Sequence, residues 1–189
     1  MSGASDTFRA LGYAKATMPK LAASAGVSTR TLHKYFPKKA VLFSEVTKQL
    51  AKEVVDGIKI PQPNDGGVTE AVHSFAFDYA QFISQPRIVE IFRIFISEYP
   101  AHSELGEIYL TYASQPVANH ILAWAKVEQK KGSLHLPNPE RDVGSLFGLV
   151  DHHVLWQRLT GQRLENCLPI KDAADLCATI WLSRYAASR

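Results

Sequence analysis

Apolar residues recur along most of this chain at the three- and four-residue spacing of amphipathic helices. Glycines and prolines fall between these periodic segments, and no alternating apolar run bounded by turn residues indicates a strand. We therefore predict an all-α fold. The predicted helices lie near residues 4–11, 18–25, 29–35, 39–59, 68–84, 86–98, 104–131, 139–161 and 170–187. The seventh is expected to bend at Pro116.

The stretch PQPNDGG, residues 61–67, interrupts the helical pattern, because its prolines and paired glycines disfavour a continuous helix. We interpret it as a linker at a domain boundary. The predicted helix over residues 39–59 then joins an N-terminal module, residues 1–45, to a larger C-terminal body, residues 46–189.

The composition suits a globular protein in a reducing compartment. Of the 189 residues, 46% are apolar, which is enough for an ordinary core. No run approaches the roughly 18 apolar residues of a membrane span, and the start MSGASDTFRALGY does not resemble a secretory signal. Two cysteines, Cys167 and Cys177, are too few for a disulfide framework, and their spacing matches no usual metal site. We expect a cytoplasmic protein without a membrane partner.

Charge is distributed unevenly along the chain. Residues 1–44 hold seven Lys or Arg against one acidic residue, Asp6, although the net charge of the whole chain is only +3. The rest of the chain is therefore net acidic. A basic module on an acidic body predicts an anionic partner, which could be a nucleic acid, an acidic lipid or an acidic protein.

The segment LAASAGVSTRTLHKYFPKK, residues 21–39, decides among these partners, because it predicts two short helices joined by a tight turn. Thr17 can cap the first helix, Gly26 supplies the left-handed residue that ends it, and Ser28 can cap the second. Pro37 ends the second helix. This is the helix-turn-helix arrangement, in which the second helix enters the major groove of DNA.

The second helix carries side chains suited to bases and phosphates. Arginine can pair with guanine, and threonine can bond to bases or touch the thymine methyl. Lys38 and Lys39 place two ammonium groups at the start of the next helix, where a phosphate binds readily. The predicted DNA interface comprises Thr17, Lys20, Ser28, Thr29, Arg30, Thr31, His33, Lys34, Tyr35, Lys38 and Lys39.

Many elements of residues 8–43 lie in the register of one known family. They are Gly12-Tyr13, Thr17-Met18, Leu21-Ala22, Ala25-Gly26-Val27-Ser28, Thr31-Leu32, Tyr35-Phe36, Lys39 and Leu42-Phe43. Together they resemble the DNA-binding domain of TetR-type transcriptional regulators. The resemblance implies a three-helix DNA-reading head, a long fourth helix, and a helical body that binds a ligand and dimerises. It also implies that Lys39 contacts a phosphate.

Two features depart from the family pattern. His33 stands where the family usually has an aromatic residue, so a DNA contact could change or respond to pH. The first helix is short, and only Ala4, Thr7, Phe8 and Leu11 remain to cover the head. Either the head is less stable than usual or the true start lies upstream of Met1.

The segments PRIVEIFRIFISEYPAHSELGEIYL and LAWAKVEQKKGSL resemble the C-terminal domain of AefR-like members of this family. Any single large apolar residue here can belong simply to the core. Some are nevertheless expected to line an apolar pocket with a few orienting polar groups. Candidate polar groups come from Asp78, Glu90, Tyr112, His120, His152 and Gln157. The predicted pocket comprises Phe75, Tyr79, Phe82, Phe92, Phe95, Tyr112, Trp124, His152 and Trp156.

The segment DVGSLFGLVDHHVLWQRLTG, residues 142–161, carries two apolar stripes, and its glycines at 144 and 148 would let a neighbouring helix approach closely. The last predicted helix is also apolar along one face. Two such helices from each of two subunits can form a four-helix dimer interface. The predicted interface comprises Val143, Phe147, Val150, Val154, Leu176, Ile180 and Trp181.

No catalytic, metal or cofactor site is predicted. His152 and His153 invite a metal site, but adjacent helical residues point about 100° apart and cannot easily share one ion. We find no Ser-His-Asp arrangement, phosphate-binding glycine loop or paired-carboxylate motif in the sequence.

These observations favour a homodimeric, sequence-specific DNA-binding regulator that acts as a repressor and is released by a small apolar ligand. Its expected partners are a (pseudo)palindromic double-stranded DNA operator, a small-molecule effector and a second copy of the chain. The alternative is a helical dimer that binds a small molecule but has lost effective DNA binding through its shortened first helix. An enzyme is a distant third hypothesis, which would need titrating groups that converge in a closed pocket.

Overall fold

The computed structural model describes residues 2–57 and 67–187, which form helices joined by short turns, and the all-α prediction is confirmed. Within these ranges there is no strand, only an isolated β-bridge between Leu134 and Ala186. The α-helices are α1 (Ser2–Lys15), α2 (Met18–Ser24), α3 (Thr29–Tyr35), α4 (Lys39–Gly57), α5 (Val68–Ile83), α6 (Pro86–Glu98), α7 (Glu104–Tyr109), α8 (Gln115–Lys130), α9 (Pro139–Val150), α10 (Gln157–Leu159) and α11 (Ile170–Tyr185). Two π-helical segments, Leu110–Ser114 and Asp151–Trp156, and a 3-10 turn, Leu164–Asn166, lie between them.

Most helices begin and end close to the predicted residues, and α3 and α6 match them at both ends. The main difference is α1, which passes through Gly12 at a kink and continues to Lys15. Gly12 has a φ of 75°, a backbone conformation that disfavours any side chain. Residues 61–66 of the predicted linker lie outside the described residues, and Gly67 is the N-cap of α5.

Where we predict a bend at Pro116, the structure has a π-helical segment, Leu110–Ser114, between α7 and α8. Proline lacks an N–H, and its ring crowds the carbonyl group four residues earlier, here that of Tyr112. A widened π turn at residues 110–114 relieves this crowding while the helix continues.

The chain separates into two compact units. Unit 1 comprises Met1–Glu53 and Glu90–Gln115, and unit 2 comprises Val54–Val89 and Pro116–Arg189. This division differs from the predicted boundary at residue 45, because residues 90–115, which we had assigned to the body, pack with the N-terminal helices.

Unit 1 is organised around buried aromatic rings. Phe43 of α4 lies 4.9 Å from the ring of Phe8, 5.2 Å from Tyr13 and 5.4 Å from Phe95, each distance joining ring centroids. Edge-to-face pairs of this kind add about 0.5–1.5 kcal/mol each to the burial of the rings. Apolar residues of α6 and α7 complete this core: Ile91, Ile94, Leu105 and Ile108.

Residues 90–115 therefore cover the core of unit 1 together with α1. Ala4, Thr7 and Phe8 are buried as expected, whereas Leu11 stays 37% exposed and contributes little. Arg9 of α1 also donates a hydrogen bond to the Glu90 carboxylate of α6.

Unit 2 is anchored by Asp142, whose side chain is fully buried in the first turn of α9. Its carboxylate accepts hydrogen bonds from the Asn138 backbone N–H at 2.8 Å, the Arg141 guanidinium at 2.8 and 2.9 Å, and the Tyr185 hydroxyl at 3.3 Å. The backbone carbonyl of Asp142 accepts a further bond from the indole N–H of Trp181, at 2.7 Å. Asp142 thus joins the start of α9 to the end of α11.

Candidate functional site

The turn between α2 and α3 is closed by two backbone hydrogen bonds. The Val27 N–H donates to the Ala22 carbonyl at 3.0 Å, and the Gly26 N–H donates to the Ala23 carbonyl at 3.1 Å. This is the Schellman pattern, which requires a left-handed residue after the helix. Gly26 provides it with a φ of 68°. The angle between the two helices is therefore fixed locally.

The N-terminus of α3 is capped by Ser28, as predicted. The Thr31 backbone N–H donates to the Ser28 hydroxyl oxygen at 3.0 Å, and the hydroxyl groups of these two residues lie 2.9 Å apart. Such a cap is worth about 1 kcal/mol to a helix. The cap fixes the first turn of α3, the turn whose side chains would meet base edges.

Thr17 and Lys20 of the predicted interface lie at the start of α2. Thr17 occupies the N-cap position of α2, but its side chain makes no capping hydrogen bond, contrary to our expectation. The Lys20 ammonium donates to the Lys15 carbonyl at 3.3 Å, at the C-terminus of α1. Both residues are exposed.

The outer side of α3 and the turn after it form an exposed cationic surface, which we call the head face. It comprises Arg30, Thr31, His33, Lys34, Tyr35 and Lys38, all of them exposed, with Thr29 half-buried at its edge. Tyr35 is 67% exposed, which is unusual for an aromatic residue. Within the described parts of the chain, Arg30, Lys34 and Lys38 form no ion pair, so these cations are available to an anionic partner.

Lys39, the predicted phosphate contact, is half-buried. Its ammonium group donates to the Tyr13 carbonyl at 2.8 Å and to the Ala14 carbonyl at 3.4 Å, and it lies 4.2 Å from the centroid of the Tyr13 ring. Burial lowers the pKa of Lys39, while Glu98 and Glu104 oppose the shift. The structure therefore places this cation against the C-terminal part of α1.

An aromatic cluster in unit 2 contains two of the predicted pocket residues. The ring of Phe147 lies 5.5 Å from Phe75 and 5.0 Å from Tyr79, measured between centroids. The Tyr79 hydroxyl donates to the Asp151 carboxylate at 2.9 Å. Burial raises the pKa of Asp151 to about 6, although this hydrogen bond opposes the shift. Asp151 is thus a half-buried carboxyl group that is hydrogen-bonded to this aromatic cluster through Tyr79.

A small apolar cavity adjoins this cluster. It is lined by Phe75 and Trp124, together with Val72, Ile121, Ala125, Val143, Leu146 and Trp181, and its volume is about 10 Å³. That is about the space of one water molecule, whereas small-molecule sites measure about 300–1,000 Å³. A drug-sized ligand could enter here only if the surrounding helices separated.

The other predicted pocket residues have different surroundings. Phe82 is buried in unit 2, whereas His152 is exposed and Trp156 is 51% exposed. Three more belong to unit 1: Phe92 packs on Tyr109, Phe95 on Phe43 and Tyr109, and Tyr112 lies beneath the Lys48 ammonium. The predicted set is therefore divided between the two units.

The predicted dimer interface needs a correction. Val143, Val150, Val154 and Trp181 are at most 2% exposed within unit 2, because this apolar stripe faces the core of the unit itself. Phe147 packs on Phe75 and Tyr79. Leu176 and Ile180, in contrast, are 40% and 43% exposed and remain available to a second subunit.

The second apolar stripe of residues 142–161, formed by Leu149, His152, Trp156 and Leu159, is the one that faces outward. A groove of about 420 Å³ lies between α9, the following π segment and α11, and it is lined by Ser145, Gly148, Leu149, His152, Ile180, Trp181, Arg184 and Tyr185. No described atom lies within 4 Å of a Cβ placed on Gly144 or Gly148. We call this surface the body face: Gly144, Gly148, His152, Trp156, Leu176 and Ile180.

Several residues with specific contacts were missed in the sequence. Asp151 stands next to His152 and His153 in the sequence but is not predicted as a site residue, and neither are Glu98 and Glu104, which contact α1. Their partners lie 72 to 91 residues away along the chain, so no local spacing reveals them. Gly12 was the one local signal, since it falls within an otherwise helical segment.

The described ranges contain neither a metal-binding cluster nor a membrane-spanning helix. Among those residues, no group of three or more His, Cys, Asp or Glu side chains is placed to hold a metal ion. No described helix combines the length and the apolar character that a membrane span requires.

Both parts of the chain match the profiles of known protein families. The sequence profile for bacterial regulatory proteins of the tetR family matches residues 1–46, and the profile for the C-terminal domain of AefR-like transcriptional repressors matches residues 70–187. No curated protein sequence matches the chain.

Solved structures share the fold at low sequence identity. A TetR-family transcriptional regulator from Mesorhizobium loti is 19% identical, with a TM-score of 0.84 over 98% of this chain and 94% of that one. The flavonoid-responsive regulator FrrA is also 19% identical, with a TM-score of 0.83 over 100% and 95%. The fatty acid degradation regulator FadR from Bacillus halodurans is 16% identical, with a TM-score of 0.73 over 96% and 91%.

The two profiles together span most of the chain, in the order that the head and body imply. Proteins of this family are DNA-binding regulators rather than enzymes, in agreement with the predicted lack of a catalytic site. The chain therefore belongs to the TetR family of transcriptional regulators, with an AefR-like C-terminal domain.

Proposed function

We propose that this regulator is a homodimeric repressor that reads a (pseudo)palindromic operator and leaves it when a small, largely apolar effector binds. The observation that carries the DNA-binding part is the head face, where a capped helix exposes Arg30, Lys34 and Lys38 without acidic partners among the described residues. Arginine suits the bidentate reading of guanine, and the lysines suit phosphates.

The body face supports the dimeric part of the proposal. Glycines at 144 and 148 cost about 1 kcal/mol each in an exposed helix relative to alanine, so a monomer gains nothing from them. They would instead let a partner helix approach closely. Beside them, Trp156, Leu176 and Ile180 expose apolar surface that a second copy would bury. A two-fold axis would place the same face on both sides of the contact.

The aromatic cluster of unit 2 supports the effector part. Phe75, Tyr79 and Phe147 pack together, the Tyr79 hydroxyl donates to the Asp151 carboxylate, and one solved relative is named a flavonoid-responsive regulator. The Gln157 side-chain oxygen is also buried and, in the described structure, accepts no hydrogen bond. An aromatic effector with hydroxyl or amine donors would suit these acceptors. Because the cavity holds only about 10 Å³, effector binding would have to expand the unit.

This expansion gives a route to release. An effector that binds only the expanded form shifts the population toward it. If that form changes the separation of the two DNA-reading heads, they can no longer occupy successive major grooves together. The operator would then be released without any change in the head face itself.

Binding of the purified protein to DNA from its own upstream region tests the proposal. Labelled DNA is titrated at several salt concentrations against a scrambled competitor, and the titration is repeated with saturating flavonoids. We expect preference for the specific DNA, an affinity that falls steeply with salt, and release by an effector. A folded dimer that binds both DNAs equally would support the alternative, a small-molecule-binding protein without effective DNA binding. Unchanged operator affinity with an effector that demonstrably binds would contradict the release mechanism.

A further inference from the structure

The α6–α7 corner, residues 98–106, contacts the part of α1 whose carbonyl groups accept hydrogen bonds from the Lys39 ammonium. The Glu98 carboxylate accepts a hydrogen bond from the Ala14 backbone N–H at 3.2 Å. The carbonyl groups of Ala14 and its neighbour Tyr13 accept the hydrogen bonds from Lys39. One face of this peptide segment is thus held by Glu98, and its carbonyls hold the cation.

Tyr13 makes a second set of contacts with the same corner. Its hydroxyl donates to Glu104 at 3.4 Å, and the His102 ring packs edge-on against its ring with centroids 4.9 Å apart. The His102 imidazole lies 3.6 Å from the Glu104 carboxylate. Burial, followed by the Glu104 charge, raises the pKa of Tyr13 to about 12, so the phenol remains a donor. Tyr13 also presents its ring to Lys39.

Two glycines allow this close packing. A Cβ on Gly12 would lie 3.3 Å from the Glu98 carboxylate oxygen, and the φ of 75° at Gly12 turns the chain so that the Ala14 N–H reaches Glu98. A Cβ on Gly106 would lie 2.5 Å from the Tyr99 ring, so that ring can pack on α7 only because residue 106 lacks a side chain. The corner and the end of α1 are therefore fitted to each other.

We propose that Glu98, supported by Glu104, is a positioning residue for DNA binding: it fixes the end of α1 so that Lys39 presents its charge to a DNA phosphate. The inference rests on the proposed DNA-binding function. An ammonium group has three N–H donors, and two of them are directed to the α1 carbonyls. The third stays available to a phosphate, and the fixed seat removes the entropy that a free lysine side chain would lose on binding.

Charge alone predicts the opposite effect of a mutation. Removal of an acidic group near a DNA-binding head reduces repulsion from phosphates and should strengthen binding. If Glu98 positions Lys39, its removal should weaken binding instead. The sign of the change therefore separates a positioning role from simple electrostatics.

The experiment measures the dissociation constant for a short fluorescent duplex of random sequence over a series of KCl concentrations, because a phosphate contact needs no particular operator. The variants are Glu98→Ala, Glu98→Gln, Lys39→Ala and the double variant Glu98→Ala/Lys39→Ala. Glu107→Ala is the matched control, since Glu107 is an exposed acid on the same corner helix, outside these contacts. Circular dichroism and thermal melting establish that each variant is folded.

We expect Glu98→Ala to bind about tenfold more weakly, with the salt slope reduced by about one unit, as for Lys39→Ala. Glu98→Gln keeps an acceptor oxygen for Ala14 and should bind like the wild type. Glu107→Ala should bind equally or slightly more tightly. The double variant should bind no more weakly than Lys39→Ala, because the two residues act through one contact.

The inference is overturned if folded Glu98→Ala binds as tightly as the wild type or more tightly, or if the two single effects multiply. Should Glu98→Ala fail to fold, Glu98→Asp, which keeps the charge but shortens its reach, should show the same loss in smaller degree. Failure of the wild type itself to bind the duplex would overturn the proposed function, and this result is distinct from failure of the Glu98 variants.

Discussion

The head face and the body face are both unusual surfaces, but one is cationic and the other is apolar. The head face gathers exposed cations without acidic neighbours among the described residues, whereas the body face exposes glycines and large apolar side chains. A cationic face gains from counterion release, and its contacts weaken with salt. An apolar face gains from the removal of surface from water and depends little on salt. The comparison teaches that one chain can present two surfaces governed by separable physical effects, as the proposed binding of DNA and of a second copy requires.

The largest expected effect is a loss of stability when the hydrogen bonds of the Asp142 carboxylate, one of which joins α9 to α11, are removed. Replacing Asp142 by Ala leaves the part-buried Asn138 N–H and Tyr185 hydroxyl without their acceptor, and the free energy of unfolding should fall by about 3 kcal/mol. Chemical denaturation followed by circular dichroism measures it. Asp142→Asn, which keeps one acceptor oxygen, should lose less. A loss below the experimental error for Asp142→Ala would show that this network does not hold α9 to α11.

Gly148→Leu should distinguish most clearly between the roles of the two faces, because it changes the body face and leaves the head face intact. No described atom lies within 4 Å of a Cβ at residue 148, and leucine is a better helix former than glycine, so the subunit should stay folded. The leucine would fill the groove and block a second copy. We expect a monomer by analytical ultracentrifugation and an operator affinity reduced by about 100-fold, because two linked heads act through their effective concentration. Gly148→Ala, with only a methyl group, should show a smaller effect. A Gly148→Leu variant that remains dimeric would place the interface elsewhere.

Arg30→Ala and Lys38→Ala sharpen the account of the head face. Arg30→Ala should cost about 1–3 kcal/mol of operator affinity and relax preference at one base position. Lys38→Ala should instead weaken all sequences alike and reduce the salt slope by about one unit. Selection of bound sequences from a random pool distinguishes the two. If both variants lose affinity without any change in preference, Arg30 contacts a phosphate.

Asp151→Asn gives the smallest expected effect and tests the interior of the body. Because burial raises the pKa of Asp151 to about 6, the folded state binds a proton more tightly than the unfolded state. Its contribution to stability is fully present below the ordinary carboxyl pKa and is lost as pH rises through about 6. At about pH 8, the free energy of unfolding of Asp151→Asn should therefore exceed that of the wild type by about 1–2 kcal/mol. At about pH 4 the difference should vanish, whereas a difference that is constant with pH would contradict this assignment.

Asp142 should show the reverse dependence. Burial opposes its ionisation, but hydrogen bonds from Asn138, Arg141 and Tyr185 outweigh it and hold the pKa of Asp142 below its usual value. Its contribution to stability is present above the ordinary carboxyl pKa and is lost as pH falls through the lower folded pKa. Asp142 and Asp151 thus differ in the direction of their pKa shifts through their hydrogen-bond partners rather than through burial alone.

The parts of the structure that local chemistry determines could be predicted from the sequence. Gly26 and Ser28 fix the turn between α2 and α3 through contacts within five residues. The bounds of α3 and α6 follow from the same kind of signal. The exposure of the other α3 side chains also follows from the sequence. In this short capped helix Leu32 is the buried residue, so the remaining sides of the helix face outward.

The remaining features depend on residues far apart in the chain. Both apolar stripes of residues 142–161 can be buried in principle, and only the packing of α5 and α11 shows that Val143, Val150 and Val154 face the core. In the same way, residues 90–115 join the N-terminal helices through rings such as Phe95 against Phe43. The contacts of Glu98 with Ala14 span 84 residues, and no spacing rule reaches that far.

Hydroxyl-radical footprinting on DNA from the chain's own upstream region tests the central claim most directly, because it reports sequence preference and dimeric reading together. The account predicts two protected patches related by two-fold symmetry, with centres about one helical turn apart or a multiple of it. It further predicts that Gly148→Leu loses both patches at the protein concentration at which the wild type shows them. A single patch, or uniform protection that does not change with sequence, would contradict a dimer that reads two half-sites.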